Sequence, residues 1–241
     1  MNWINTRYED VFAHIANGIQ NGEYIPGERL TGERKLADTL GMSRETVRQG
    51  LEMAEKSGLI VRVPKRGTFI ASPRVDQDLG VMKSFLQTVR ALDMRPTYNL
   101  NKVDTVVLDG DDAEQLHVKV GTPGIMVEVL GLASGLPMAL YRSTMPEWVS
   151  RALGPEVAWG EKASYELAAQ VLGFSTLKIT QRFEAVSLQL DLSKLLRVRS
   201  GTPGFKTVSL FRAPDGKPIE MRVAWYPGSR YSFSANRTIT F

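Results

Sequence analysis

The 241-residue sequence contains no cysteine and only two histidines, His14 and His117. The lack of cysteine excludes disulfides, thiolate nucleophiles and cysteine-based zinc sites. Two histidines are too few for a multi-histidine metal site, and a serine–histidine–aspartate mechanism would have to use one of them. We therefore predict no metal site, no cofactor and no catalytic residue.

Long apolar runs are also missing, since no stretch reaches the roughly 18 apolar residues of a membrane-spanning helix. The first residues, MNWINTRYEDVF, carry acidic side chains and no apolar core, unlike a signal peptide. We expect no membrane partner and a cytoplasmic location, with which the lack of cysteine agrees.

The chain has no strong excess of charge of one sign. Its 30 Lys and Arg residues face 26 Asp and Glu residues, which gives a formal net charge of +4. So small an excess predicts no partner, and a nucleic-acid site must be argued from where the charges lie.

The length fits one large domain or two small ones. Apolar spacing and stop signals predict helices over 7–21, 32–40 and 44–57, then short strands over 59–63 and 68–71. Thr6 can cap the first helix. Another helix is predicted over 82–92, followed mainly by strands. We predict an α+β protein with a domain over 1–72, a linker without periodicity over 73–79, and a second domain over 80–241.

The second and third predicted helices meet at a tight turn containing Gly41, which is typical of a helix-turn-helix. A recognition helix reads base edges with its first turns, and its free N–H groups suit a phosphate. The third helix opens with donor-rich side chains in that place: Ser43, Arg44, Thr46 and Arg48.

The hairpin that follows fits a wing on the DNA. Its tip carries Lys65, Arg66 and Gly67, and glycine has no side chain to hold the backbone away from DNA. The alternative is a small helical domain with solvated charges, in which Arg44 and Arg48 pair with neighbouring glutamates.

The second domain contains a repeat, because the letters GTPG occur at 121–124 and again at 201–204. A short predicted helix precedes each copy, over 113–118 or 193–198. A β-type run, a turn and a strand follow each copy at matching spacing. A duplicated helix–hairpin unit predicts an antiparallel sheet with pseudo-two-fold symmetry, which could enclose a pocket.

The two repeat hairpins and the segment between them supply candidates for binding a small anion: Arg142, Ser164, Tyr165, Glu220, Arg222 and Tyr226. Alternate residues of a strand face opposite sides, so Glu220 and Arg222 share a face. Arg142 joins them only if a bulge shifts the first repeat. The alternative for each is an exposed strand residue.

Residues 7–71 resemble the winged helix-turn-helix domain of the GntR family of bacterial transcription regulators. The resemblance rests on PGERL at 26–30, ERKLA at 33–37, SRETVR at 43–48, GLI at 58–60 and RGTFI at 66–70. It implies DNA contacts by Arg34, Arg44, Thr46, Arg48 and Gly67. Family members usually carry Pro-Ser where this chain has Thr31 and Gly32, so we expect a weaker cap on the second helix.

Residues 80–241 resemble the UTRA effector-binding domain of the HutC subfamily, through the helix-GTPG-strand unit, DGKPIE at 215–220 and the segment from Tyr226 to Phe233. The UTRA fold is similar to chorismate lyase, an antiparallel sheet with flanking helices. The resemblance implies a ligand-responsive repressor, a homodimer that binds a pseudo-palindromic double-stranded DNA operator and is released by a small, anionic metabolite. Two alternatives stay open: a C-terminal domain that only dimerises, and a lyase-like enzyme.

Overall fold

A computed structural model describes residues 7–71 and 74–240. The chain divides into two compact units, Met1–Pro73 and Arg74–Phe241. The predicted cap residue Thr6 lies outside the described residues.

The N-terminal unit consists of three helices and a hairpin. Helices α1 (Arg7–Asn21), α2 (Glu33–Leu40) and α3 (Arg44–Lys56) are followed by strands β1 (Ile60–Val63) and β2 (Gly67–Ile70), which pair antiparallel. The predicted helices and strands are therefore present, with ends that differ by one residue at most positions.

The apolar faces of these elements form one core, which includes Val11, Ile15, Leu36, Val47 and Leu51. Helices α1 and α3 approach closely at Gly50. A Cβ atom at that position would lie 2.7 Å from the main-chain oxygen of Tyr8, a distance that Cβ atoms do not adopt. The close contact at Gly50 therefore fixes how α3 packs against α1.

The C-terminal unit is built on a six-stranded antiparallel sheet with the strand order β4-β5-β6-β9-β8-β7. Its strands are β4 (Pro96–Val107), β5 (Pro123–Ala133), β6 (Leu136–Pro146), β7 (Lys178–Leu188), β8 (Thr202–Arg212) and β9 (Pro218–Pro227). Its helices are α4 (Phe85–Arg90), α5 (Gly110–Gln115), α6 (Glu147–Leu153), α7 (Ser164–Val171) and α8 (Leu190–Leu196). The predicted α+β class, with an antiparallel sheet and flanking helices, is confirmed.

The repeat is visible in the topology, because β4-α5-β5-β6 and β7-α8-β8-β9 follow the same path and β6 pairs with β9 at the centre. Both hairpins carry a register shift at the same point. Met138 is the extra residue in the first and Ile219 in the second. The two copies therefore align without slip. Both short helices begin three residues earlier than predicted, and at α5 the side chain of Asp109 caps this earlier start.

The structure differs from the predicted linker over 73–79. Val75–Asp78 form strand β3, which pairs in parallel with β10 (Tyr231–Ser234) near the end of the chain. Only Val75 of the four is buried, so a local apolar pattern is lacking. The helix predicted over 82–92 is also shorter, because Ser84 caps it and forms a capping box with Gln87.

Within the two described ranges, no helix combines the length and the apolar character that crossing a bilayer demands.

Candidate DNA interface and effector cavity

The start of helix α3 is held by a side-chain cap. The Ser43 hydroxyl accepts the Thr46 N–H at 3.1 Å, and the Ser43 and Thr46 hydroxyls lie 2.8 Å apart. Gly41 takes the left-handed conformation, with φ of 64°, that lets the chain turn from α2 into α3. The turn leaves Ser43 and Arg44 exposed and Thr46 half-buried.

The two arginines of α3 differ in their contacts. Arg48 donates to Glu45 at 3.0 Å and lies 3.8 Å from Glu52, as the alternative interpretation expected. Arg44 forms no ion pair with the described residues. Exposed ion pairs of this kind contribute only about 0–1 kcal/mol, so a phosphate or base can replace them. Both arginines therefore remain available for DNA.

The wing carries positive charge at its tip. Lys65 and Gly67 have positive φ values of 62° and 113°, and the Arg66 N–H closes the turn on the Val63 carbonyl at 3.0 Å. A Cβ atom at Gly67 would lie 2.9 Å from Nε of Arg29. The φ value of Gly67 therefore favours glycine at the turn, and the end of the Arg29 side chain lies directly beside it.

Sequence reasoning missed Arg29 as a wing residue. Its main chain bridges to Phe69 of β2, and its side chain is exposed beside the tip. Local patterns cannot show this contact, because the two segments are about 40 residues apart in the chain. Arg62, by contrast, is paired with Glu33 and Glu55.

Arg34 lies exposed in the first turn of α2. The N-cap of this helix is Gly32, which offers no side-chain hydrogen bond. The expectation of a weaker cap is confirmed, and the first N–H groups of α2 lack the side-chain oxygen that a serine would provide.

A cavity of about 30 Å³ lies in the C-terminal unit, against one face of the sheet. Its wall comes from the sheet, α4, α7, β10 and the segment 77–83. Eight of the sixteen lining side chains are aromatic: Phe85, Tyr98, Tyr141, Tyr165, Phe183, Phe211, Tyr226 and Phe233. Burial raises the pKa of Tyr98, Tyr141, Tyr165 and Tyr226, so their hydroxyls stay neutral at physiological pH.

A buried ion pair lies at the base of this cavity. Nη2 of Arg222 is 3.0 Å from Oε1 of Glu220, and the two residues are 7% and 0% exposed. The Ser143 hydroxyl donates to the same carboxylate oxygen at 2.7 Å and accepts Nε of Arg222 at 3.0 Å. The Ser164 hydroxyl accepts Nη2 of Arg222 at 2.6 Å. Two strands and the start of α7 are thus joined through one guanidinium.

Three aromatic rings surround the guanidinium of Arg222. Its central carbon lies 4.8 Å from the ring centre of Tyr165 and 5.4 Å from those of Tyr141 and Phe211. Burial acts to lower the pKa of Arg222, but Glu220 and the nearby tyrosines raise it above its ordinary value. Arg222 therefore stays charged while it lines the cavity.

The predicted effector residues separate into two groups. Ser164, Tyr165, Glu220, Arg222 and Tyr226 lie at or directly behind the cavity. Arg142 is not with them. It lies on the opposite face of the sheet, 2.7 Å from Glu128 and over the ring of Trp225.

Strand alternation explains this separation. Because the repeats align without slip, Ser143 and not Arg142 is the cross-strand partner of Arg222. The same alternation could have identified Tyr141 as a cavity residue and Ser143 as a partner of Arg222. Gln77 and Lys83 had no such signal, since Gln77 lies within the segment without periodicity over 73–79 and Lys83 follows it.

Each of the two units matches the profile of a known protein family. The profile described as bacterial regulatory proteins, gntR family, matches residues 7–70, and the UTRA domain profile matches residues 91–232. The predicted family is confirmed by these two matches.

Similar proteins cover nearly the whole chain. The HTH-type transcriptional repressor NagR of Bacillus subtilis is 25% identical over 94% of this chain and 92% of its own length. The histidine utilization repressor of Pseudomonas putida is 22% identical over 93% of this chain and 89% of its own. The crystal structure of PhnF from Mycobacterium smegmatis aligns with a TM-score of 0.65 at 24% identity, covering 95% of this chain and all of that one, which supports the fold.

Both family profiles describe parts of regulators, and NagR and the histidine utilization repressor are repressors by name. The lyase-like alternative is therefore set aside. With a winged helix-turn-helix in its first unit and an effector-type sheet in its second, the chain belongs to the GntR family of transcription regulators that carry a UTRA domain.

Proposed function

We propose that the protein is a cytoplasmic, homodimeric repressor that binds a pseudo-palindromic operator and is released by a small anion. One observation carries the DNA-binding part: a capped helix exposes Arg44 and Arg48 in the same unit as a wing with Lys65, Arg66 and Arg29. Two such units on a dimer would read two half-sites about one helical turn apart. Repression is inferred from two similar proteins, NagR and the histidine utilization repressor, which are both repressors by name.

The charge of the cavity wall supports an anionic effector. Lys83 and Arg222 contribute two positive charges, and no carboxylate is among the lining residues. Glu220, behind Arg222, offsets one of the two. The remaining charge of +1 favours a monoanion over a neutral or cationic ligand.

The position of the segment 77–83 supports a coupling to DNA. This segment forms part of the cavity wall, and only a few residues separate it from the DNA-binding unit along the chain. A cavity of about 30 Å³ holds roughly two or three water molecules, since each needs about 10–15 Å³. A larger ligand would have to displace the segment, so it would favour one arrangement of the chain leading to the DNA-binding unit.

Arg44→Ala is expected to weaken operator binding by about 1–3 kcal/mol and to relax the base preference at one position per half-site, because a bidentate contact to guanine is lost. The measurement is fluorescence anisotropy on an operator selected from random DNA and on its single-base variants.

The matched control for Arg44→Ala is the double variant Lys65→Ala, Arg66→Ala. Loss of two phosphate contacts should lower affinity for all sequences alike and reduce the slope of log affinity against log salt by about 1.8. If Arg44→Ala keeps the full base preference, α3 is not the recognition helix.

Effector release is tested on the full-length protein bound to its operator. A panel of metabolite anions should include one that releases wild type, and Arg222→Met should respond at least tenfold less, because it lacks the buried cation. Arg142→Met is the control on the opposite face and should respond normally. Equal release in both variants would place the effector elsewhere, and no release by any anion would favour the alternative of a domain that only dimerises.

A further inference from the structure

The wall of the cavity concentrates the aromatic residues of the protein. The whole chain has only 20 Phe, Trp and Tyr residues, and eight of them line this one cavity. We propose that the effector is a carboxylate that carries a flat, aromatic ring. The inference rests on the proposed function, since it names the chemical class of the anion that binds beside Arg222.

The rings are arranged so that another ring can join them. Tyr98 meets Tyr141 at 5.9 Å and 83°, and Tyr141 meets Tyr226 at 6.0 Å and 84°. On the other side Phe233 meets Tyr226 at 5.3 Å and 88°. These are edge-to-face contacts, in which the positive edge of one ring meets the negative face of the next. A flat aromatic ligand can extend this pattern, whereas a saturated ring has no such quadrupole.

Several polar groups of the wall are already bonded to neighbouring groups of the protein. Gln181 donates to Ser209 at 3.0 Å, Tyr226 and Thr207 share a hydrogen bond, and Gln77 reaches the Lys83 carbonyl at 3.4 Å. A sugar phosphate would need partners for several hydroxyls and would have to break these contacts. A ring with one carboxylate needs only a cation and the aromatic side chains of the wall.

The cation is fixed in place for that role. Tyr165 stacks on Phe211 with ring centres 4.3 Å apart, and the guanidinium of Arg222 lies near both rings. Glu220, Ser143 and Ser164 hold Nε and Nη2 of Arg222, and Nη1 carries two further N–H groups. A ligand carboxylate that meets this arginine would direct its ring toward the aromatic walls.

The cavity is too small to admit an aromatic ring unless side chains of its wall move. A space of about 30 Å³ cannot hold a six-membered ring. Leu79 and Met82 cover part of it while remaining 44% and 46% exposed. Ring binding therefore requires these two side chains to move outward.

The test uses calorimetry on the full-length protein with matched probes. Benzoate and phenylacetate are compared with cyclohexanecarboxylate and cyclohexylacetate, which have the same charge and similar size, and with glucose 6-phosphate. We expect the aromatic acids to bind about 3- to 10-fold more tightly than their saturated partners, the range of edge-to-face ring contacts. Phe183→Leu should reduce this ratio, whereas Phe174→Leu, an aromatic residue outside the cavity wall, should leave it unchanged.

The possible results separate the aromatic character of the ligand from its negative charge. Equal or tighter binding of the saturated acids overturns the aromatic inference but keeps the anion site. Binding of glucose 6-phosphate alone overturns it in favour of a sugar phosphate. If none of the probes binds, the aromatic inference fails. The proposed release of DNA by an anion is then tested separately, by the wider panel of metabolite anions on the operator complex.

Discussion

Glu220→Leu is expected to lower the free energy of unfolding of the C-terminal unit by about 3–5 kcal/mol, because it leaves Arg222 as a buried cation without its counter-charge. Glu220 is 0% exposed and lies behind Arg222, outside the cavity wall, so the position of the lost carboxylate is closed to solvent. Urea unfolding followed by tyrosine and tryptophan fluorescence measures the loss. Arg151→Met is the control, since its ion pair with Glu147 is exposed and should contribute about 0–1 kcal/mol.

The double variant Glu220→Leu, Arg222→Met separates charge from packing. Replacing a buried ion pair by apolar side chains of similar size is often neutral or stabilising, so the double variant should recover most of the stability. A double variant as unstable as Glu220→Leu would show that lost packing, and not the unpaired charge, causes the effect.

Arg230→Met is expected to destabilise the same unit by about 2–4 kcal/mol, since charge-assisted hydrogen bonds are lost and buried carbonyls remain unpaired. Arg230 is 1% exposed and donates to the carbonyls of Pro137, Leu196 and Arg197. It thereby caps the end of α8 and fastens it to the start of β6. Burial lowers the pKa of Arg230 to about 10, so it is still protonated at neutral pH.

Two further variants test the role of Arg230. Arg230→Lys should be intermediate, because a single ammonium cannot reach three carbonyls with the planar geometry of a guanidinium. Arg237→Met, at an exposed position, should change stability by less than about 0.5 kcal/mol. A fully stable Arg230→Met would mean that solvent reaches these carbonyls.

The N-terminal unit could be predicted well because its signals are local. The apolar spacing of α1, the Ser43 cap and the glycine after α2 each act within a few residues. The duplicated hairpins were equally accessible, since their matched spacing fixed which strand residues share a face. That alternation is why Arg222 lines the cavity and Arg142 does not.

Two features were not predictable from local patterns. Strand β3 has a single buried side chain, and its partner Tyr231 lies 156 residues further on. The aromatic wall is assembled from eight strands and helices, each of which contributes one aromatic side chain. In both cases the information lies in long-range pairing, which a window of ten or twenty residues does not contain.

The pairing of β3 with β10 also bears on how such proteins diversify. Val75 and Tyr231 are register partners, so the chain enters and leaves the C-terminal unit at neighbouring points. Units with adjacent ends tolerate insertion and permutation, since joining them to another chain breaks no internal strand. Recombination could therefore exchange the sensing unit between different DNA-binding heads while the six-stranded sheet stays intact.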